Sequence, residues 1–270
     1  MPKFIHDAIE FCYFDEATDH PPLLFMHGLG GDLEQAKKLL DNTHQVRLIS
    51  FDFRGHGQTV CPNEAYHFSM LQYAQDAIAL LDYLQVEKCF LAGNSLGAAV
   101  ALLIARVAPH RVAKLVLLRP AWLNQGIPDH LIIFYIIGES IERWGVEEAE
   151  FILRNTFIFK GLKQHYPLCA EALSTQFERQ QAAQTPLLLK LLTLDKPFDE
   201  ETELAAITCP TLIIASKEDA FHPFELGMVL HDCIATSSLV EVPSRYEHTK
   251  AYQKETTRAI LHFLNHMNIW

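Results

Sequence analysis

The sequence predicts an α/β protein built on a mostly parallel, doubly wound sheet, and three observations predict it. Short apolar runs are nearly continuous rather than alternating, as strands covered on both faces require. Longer helical patterns separate them, which implies right-handed strand–helix–strand crossovers. The alternation is broken once, by a strandless stretch between about 121 and 208. The expected division is therefore a sheet core from 1–120 and 209–270, with a helical cap from 121–208.

The strand candidates are Pro22 to Met26, Val46 to Phe53, Cys89 to Ala92, Leu115 to Leu118, Thr211 to Ala215 and Leu239 to Val242. Ser69-Met70-Leu71-Gln72 has capping-box spacing and opens an amphipathic run to about Leu84. Ala98 to Ala108 is rich in small and aliphatic residues, suited to close packing on a sheet. Pro223 at a helix start and Thr249 to His266 supply two more helices. In the middle stretch the helical pieces are Leu131 to Gly138, Val146 to Phe157, Cys169 to Ala183 and Leu187 to Leu194, punctuated by Pro128, Pro167, Pro186 and Pro197.

Composition narrows the function classes. The chain has 270 residues, 33 acidic and 22 basic side chains and a formal net charge of −11. That balance argues against nucleic acid as principal partner and against an anionic membrane surface. It leaves anionic small molecules open, because the field around Arg54 or Arg119 is set locally. Cys12, Cys61, Cys89, Cys169, Cys209 and Cys233 are scattered, with no paired or metal-like spacing, and read as reduced thiols. With no apolar signal core and no run long enough to span a bilayer, the expected location is the cytoplasm.

Glycine points to the chemistry. There are only 12, yet Gly28, Gly30, Gly31, Gly55, Gly57, Gly93 and Gly97 fall in three short clusters. Gly93-Asn94-Ser95-Leu96-Gly97 follows an apolar strand and precedes a small-residue helix, the context a G-x-S-x-G nucleophile elbow requires. The serine sits at the tip of a strained turn, and its flanks must lack side chains because strand and helix pass so close. The composition gives about 0.02 such patterns by chance. His27-Gly28-Leu29-Gly30-Gly31 follows another strand and fits neither phosphate-loop pattern. Its Leu29 N–H and the N–H of Leu96, at the positive end of the next helix, are candidates for an oxyanion hole.

These clusters, with Asp52-Phe53-Arg54-Gly55-His56-Gly57 between them, resemble the α/β-hydrolase superfamily. The resemblance continues in Pro210-Thr211-Leu212-Ile213-Ile214-Ala215 followed by Asp219, and in Val242 with His248 beyond it. It implies an eight-stranded α/β-hydrolase fold whose helical cap precedes the last two strands. It also implies a nucleophile–acid–histidine triad in that chain order, met by Ser95, Asp219 and His248. Glu218 is the rival acid. His222 is the rival base, three residues from Asp219, where shaping the loop or capping the helix at Pro223 is the alternative role. His56 is expected to be structural and His27 to brace the oxyanion loop. A substrate pocket is expected from His27, Trp122, Phe134 and Tyr135, with no metal and no organic cofactor.

The function implied is a serine hydrolase that cleaves a carboxylic ester, lactone or thioester of a small to medium apolar substrate through an acyl-enzyme. A serine rather than an aspartate at the elbow speaks against dehalogenase or epoxide hydrolase chemistry. Two alternatives stand beside it: a carbon–carbon bond hydrolase of ring-cleavage products, whose Gly-Asn-Ser elbow is similar, and a ligand-binding or signalling relative without turnover.

Overall fold

The architecture was read from a computed structural model that describes residues 1–40 and 45–265. Eight strands form one sheet: β1 (Lys3–His6), β2 (Ile9–Asp15), β3 (Pro22–Met26), β4 (Arg47–Phe51), β5 (Cys89–Asn94), β6 (Val112–Leu118), β7 (Thr211–Ala215) and β8 (Ser237–Glu241). Their order is β1-β2-β4-β3-β5-β6-β7-β8. β1, β2 and β4 pair antiparallel and all later neighbours are parallel.

Burial explains the continuous apolar strands. In β3, Leu24 and Met26 join one core cluster while Leu23 and Phe25 join the other, and β6 divides Leu115 and Leu117 from Val116 and Leu118 in the same way. Successive side chains point to opposite faces, so a strand covered on both sides must be apolar throughout. One face is covered by α2 (Met70–Tyr83) and α3 (Leu96–Val107), the other by α1 (Glu34–Leu40) and α10 (Thr249–Asn265). Ser69 caps α2 as the spacing predicts, its side chain accepting from the N–H of Gln72. Lys114 is the polar exception inside β6. Fully buried, it donates to the carbonyls of Phe263 and Leu264 near the end of α10, where a cation complements the helix dipole.

Between β6 and β7 the chain is helical: α4 (Ile132–Trp144), α5 (Val146–Asn155), α6 (Phe157–His165), α7 (Pro167–Ala172) and α8 (Pro186–Leu194). The expected piece Cys169 to Ala183 is only partly a helix, because α7 ends at Ala172 and gives way to a 3₁₀ turn. α9 (Phe224–Cys233) follows β7 after Pro223. His266, expected to end the last helix, lies outside the described residues. All six cysteines are free. Among the described residues no helix is long and apolar enough to cross a membrane.

The strand order fixes where a ligand can sit. The chain runs from β3 outward to β4, then crosses back to β5 on the other side of β3. The carboxyl ends of β3 and β5 are therefore the switch point of the sheet, the crevice where open α/β sheets bind ligands.

Candidate active site

Both glycine motifs emerge at that switch point. Ser95 follows β5 with φ 56° and ψ −112°, a left-handed conformation that costs strain in any residue but glycine. The turn can close only without side chains at its flanks. A Cβ on Gly93 would run into the Gly97 carbonyl, and one on Gly97 into the Met26 carbonyl. Leu96 is the first residue of α3, so its N–H has no acceptor within the helix. The Leu29 N–H has no hydrogen-bond partner among the described residues, and both Leu29 and Ser95 line the same cavity.

His27 holds that loop from beneath. Fully buried, its Nε2 accepts from the Phe53 N–H at 3.1 Å, so the proton sits on Nδ1, 2.8 Å from the Gly28 carbonyl. Burial pushes its pKa down to about 4 and keeps the ring neutral. Gln35 Oε1 ties the loop to the elbow, accepting from the Gly28 N–H and from Asn94 Nδ2.

The histidine that reaches the serine is His222. Its Nε2 lies 2.8 Å from Ser95 Oγ and its Nδ1 lies 2.9 Å from Asp219 Oδ1, with all three residues buried. The β7–α9 loop explains this locally. Glu218 turns the chain with φ 62°, Asp219 Oδ1 accepts from the Phe221 N–H, and the Asp219 carbonyl accepts from the His222 N–H. This four-residue turn folds the imidazole back onto its own aspartate, and Pro223 then starts α9. Glu218, the rival acid, supplies the turn and not the carboxylate.

His248 is corrected by the same geometry. It is exposed at the entry to α10, and its ring makes no hydrogen bond to Ser95 or Asp219. The link after β8 is drawn against the β7–α9 loop by Ser244, which donates to the Glu218 carbonyl and accepts from the Tyr246 N–H. That turn sends Arg245 and Tyr246 to the cavity and leaves His248 facing away from it.

An arginine completes the cluster. Arg119, just after β6, is buried with φ 47° and directs Nε and Nη2 at Asp219 Oδ2, at 2.8 and 2.7 Å. Its Nη2 also lies 3.0 Å from His222 Nδ1 and donates to Tyr246 Oη at 3.1 Å. Burial raises the Asp219 pKa, but Arg119 and His222 outweigh it and hold the carboxyl far below its usual range. Burial lowers His222 to about 4, helped by Arg119 and opposed by Asp219. The imidazole is neutral and able to accept a proton across the neutral range, and once protonated it gives the proton up more readily than an ordinary imidazolium.

The cavity over Ser95 measures about 150 Å³. Trp122, Leu131, Phe134, Leu173 and Phe221 form an apolar side, while Asn94, Gln35, Gln176, Arg119 and Arg245 contribute polar groups. Trp122 and Phe134 are thus where the sequence places them. Tyr135 is not: one helical step on, it turns away toward Lys190. His27 lies under the oxyanion loop and does not line the cavity. The expected apolar pocket is polar and cationic on one side. Arg245, Gln176 and Tyr246 lacked any local motif, and only the Asp219-x-x-His222-Pro223 spacing could have signalled the tight turn that selects His222. No group of three or more His, Cys, Asp or Glu side chains is placed to hold a metal among the described residues.

Comparison with known proteins bears on the fold. A family model described as the alpha/beta hydrolase fold matches residues 21–136. An enol-lactonase from Burkholderia xenovorans LB400 superposes with a TM-score of 0.74 over 97% of this chain and 99% of that one, at 19% identity. The chain has the α/β-hydrolase fold. A thermophilic esterase from Thermogutta terrifontis, solved with malate bound, gives a TM-score of 0.72 at 25% identity, covering 95% of this chain and 93% of its own. Among curated sequences, a protein of Klebsiella pneumoniae (strain 342) named "Putative carbamate hydrolase RutD" is 29% identical over 236 residues, 83% of each chain. Family and relatives together mark this α/β-hydrolase as a hydrolytic enzyme.

Proposed function

We propose that this α/β-hydrolase is a serine hydrolase that cleaves a small carboxylic ester or lactone through an acyl-enzyme. The observation that carries the reading is the continuous chain Ser95 Oγ–His222 Nε2–His222 Nδ1–Asp219 Oδ1, with links of 2.8 and 2.9 Å, opening on a cavity. His222 takes the serine proton as Oγ attacks the carbonyl carbon. Asp219 fixes the tautomer and stabilises the imidazolium. The tetrahedral oxyanion is received by the N–H groups of Leu29 and Leu96, each worth about 3 kcal/mol in comparable sites. The imidazolium then gives its proton to the leaving alkoxide, and water, deprotonated by His222, releases the acid from Ser95.

The enol-lactonase and esterase likenesses support this substrate class, and the carbamate-hydrolase name of the RutD relative adds carbamates to the substrates to be assayed. A panel of p-nitrophenyl acetate, a five-membered lactone, a thioester, a phenyl carbamate and a vinylogous diketone tests it, run beside Ser95→Ala and a fluorophosphonate label. Ester or lactone turnover lost in Ser95→Ala, with labelling confined to the unsubstituted chain, is the expected result. Equal rates for the two chains would overturn the serine mechanism. Labelling with turnover of the diketone alone would replace it by carbon–carbon hydrolysis.

A further inference from the structure

The cavity at Ser95 is lined asymmetrically. Arg119 and Arg245 line it, and no aspartate or glutamate does among the described residues. The two cations differ in what answers them. Arg119 is neutralised by Asp219 behind the wall. The Arg245 guanidinium forms no ion pair and no hydrogen bond among the described residues; only its backbone carbonyl is engaged, by Thr249. Arg245 stands at the rim, exposed on one flank, and also borders an adjoining depression with Lys38, Gln253 and Thr249 that likewise has no acidic lining. Burial and the neighbouring Arg119 both press its pKa down, the mark of a cation short of a counter-charge. In a chain of net charge −11 this cationic mouth stands against the overall sign.

We propose that Arg245 anchors a free carboxylate on the substrate, so that Ser95 acts on a short ester or lactone that also carries a carboxylate. This rests on the serine-hydrolase reading above. A guanidinium presents a planar fork that matches a carboxylate with two parallel hydrogen bonds. The reacting carbonyl lies at Ser95, the carboxylate at Arg245, and the intervening carbons against the apolar wall of Trp122, Leu131 and Phe134. A cavity of about 150 Å³ suits a chain of a few carbons.

The test separates recognition from turnover. Ser95→Ala is titrated by calorimetry with monomethyl succinate and with dimethyl succinate, alone and combined with Arg245→Gln or Arg245→Lys. We expect the mono-ester to bind at least about tenfold more tightly than the di-ester, as a charged hydrogen-bonded pair should. Arg245→Gln removes that preference and Arg245→Lys restores part of it. With Ser95 intact, the same substitution raises KM for the mono-ester about ten- to hundredfold beyond any change for the di-ester. Equal or undetectable binding of the two esters, or a preference that survives Arg245→Gln, overturns the assignment. Because the titration uses a chain without its nucleophile, failed turnover would count against the hydrolase reading alone. Turnover of neutral esters without an anion preference would count against Arg245 alone.

Discussion

Among the described residues, two buried clusters contain an arginine, an aspartate and a histidine in contact, and one of them meets the Ser95 hydroxyl. In the first, Arg119 holds Asp219 by a single oxygen, Oδ2, and leaves Oδ1 free to face His222 Nδ1. In the second, Arg54 grips Asp76 by both oxygens, each at 2.7 Å, and its remaining nitrogen lies 2.9 Å from His67 Nδ1. His67 therefore accepts from the guanidinium, and its Nε2 is buried without a partner among the described residues. Burial keeps Asp76 raised despite Arg54, whereas Asp219 is pulled down because Arg119 and His222 act on it together. On the proposed mechanism, the same groups build a catalytic orienter or a structural clamp according to whether one carboxylate oxygen is left for the imidazole.

The comparison breaks most readily on rate. His222→Ala should lower kcat by about 10⁴-fold or more, as loss of a triad base does, while His67→Ala leaves kcat of the folded enzyme within a few-fold. Similar losses for both in an ester assay would erase the distinction. Asp219→Asn should cost about 10³- to 10⁴-fold in kcat by losing the tautomer. The second cluster should instead register in stability. Arg54→Met leaves Asp76 buried without its partner and should cost about 3–5 kcal/mol in urea unfolding; a loss under 1 kcal/mol would show the clamp to be idle. Arg119→Gln sharpens the contrast through pH. His222 must be neutral to act, so the acid limb of kcat/KM should lie near its pKa of about 4. Removing the cation favours the imidazolium, so the limb should move up toward the ordinary histidine value; a limb that stays in place would show that Arg119 does not tune the base. The smallest effect is expected of His248→Ala, within about twofold in rate and 0.5 kcal/mol in stability.

These effects trace to parts of the molecule that differ in how local their causes are. The elbow was legible because its requirement is local: Gly93 and Gly97 must be bare for strand and helix to pass. The β3–β7 strands were legible because burial on both faces leaves an apolar run, whereas β8, at the sheet edge, showed only through Leu239 and Val240. β1 and β2 were not read: β1 has only four residues, while β2 carries Glu10 and Asp15 among its apolar residues and takes its pairing with the sheet from Phe51 far along the chain. The base was misplaced for a related reason. With 14 histidines, the choice depends on whether a β7–α9 turn or a β8–α10 link reaches Ser95. The bonds that decide it join Ser244 to Glu218 and Arg119 to Asp219, 26 and 100 residues apart. Arg245 escaped notice because its significance lies in a missing counter-charge, which only the assembled cavity reveals.

The central claim is that His222, and not His248, activates Ser95. The most direct measurement is the second-order rate constant for fluorophosphonate labelling of Ser95 in the unsubstituted chain, His222→Ala and His248→Ala at neutral pH. The account predicts a fall of about 10³-fold or more in His222→Ala and a rate within twofold of the unsubstituted chain in His248→Ala. A collapse in His248→Ala with His222→Ala still labelling normally would contradict it.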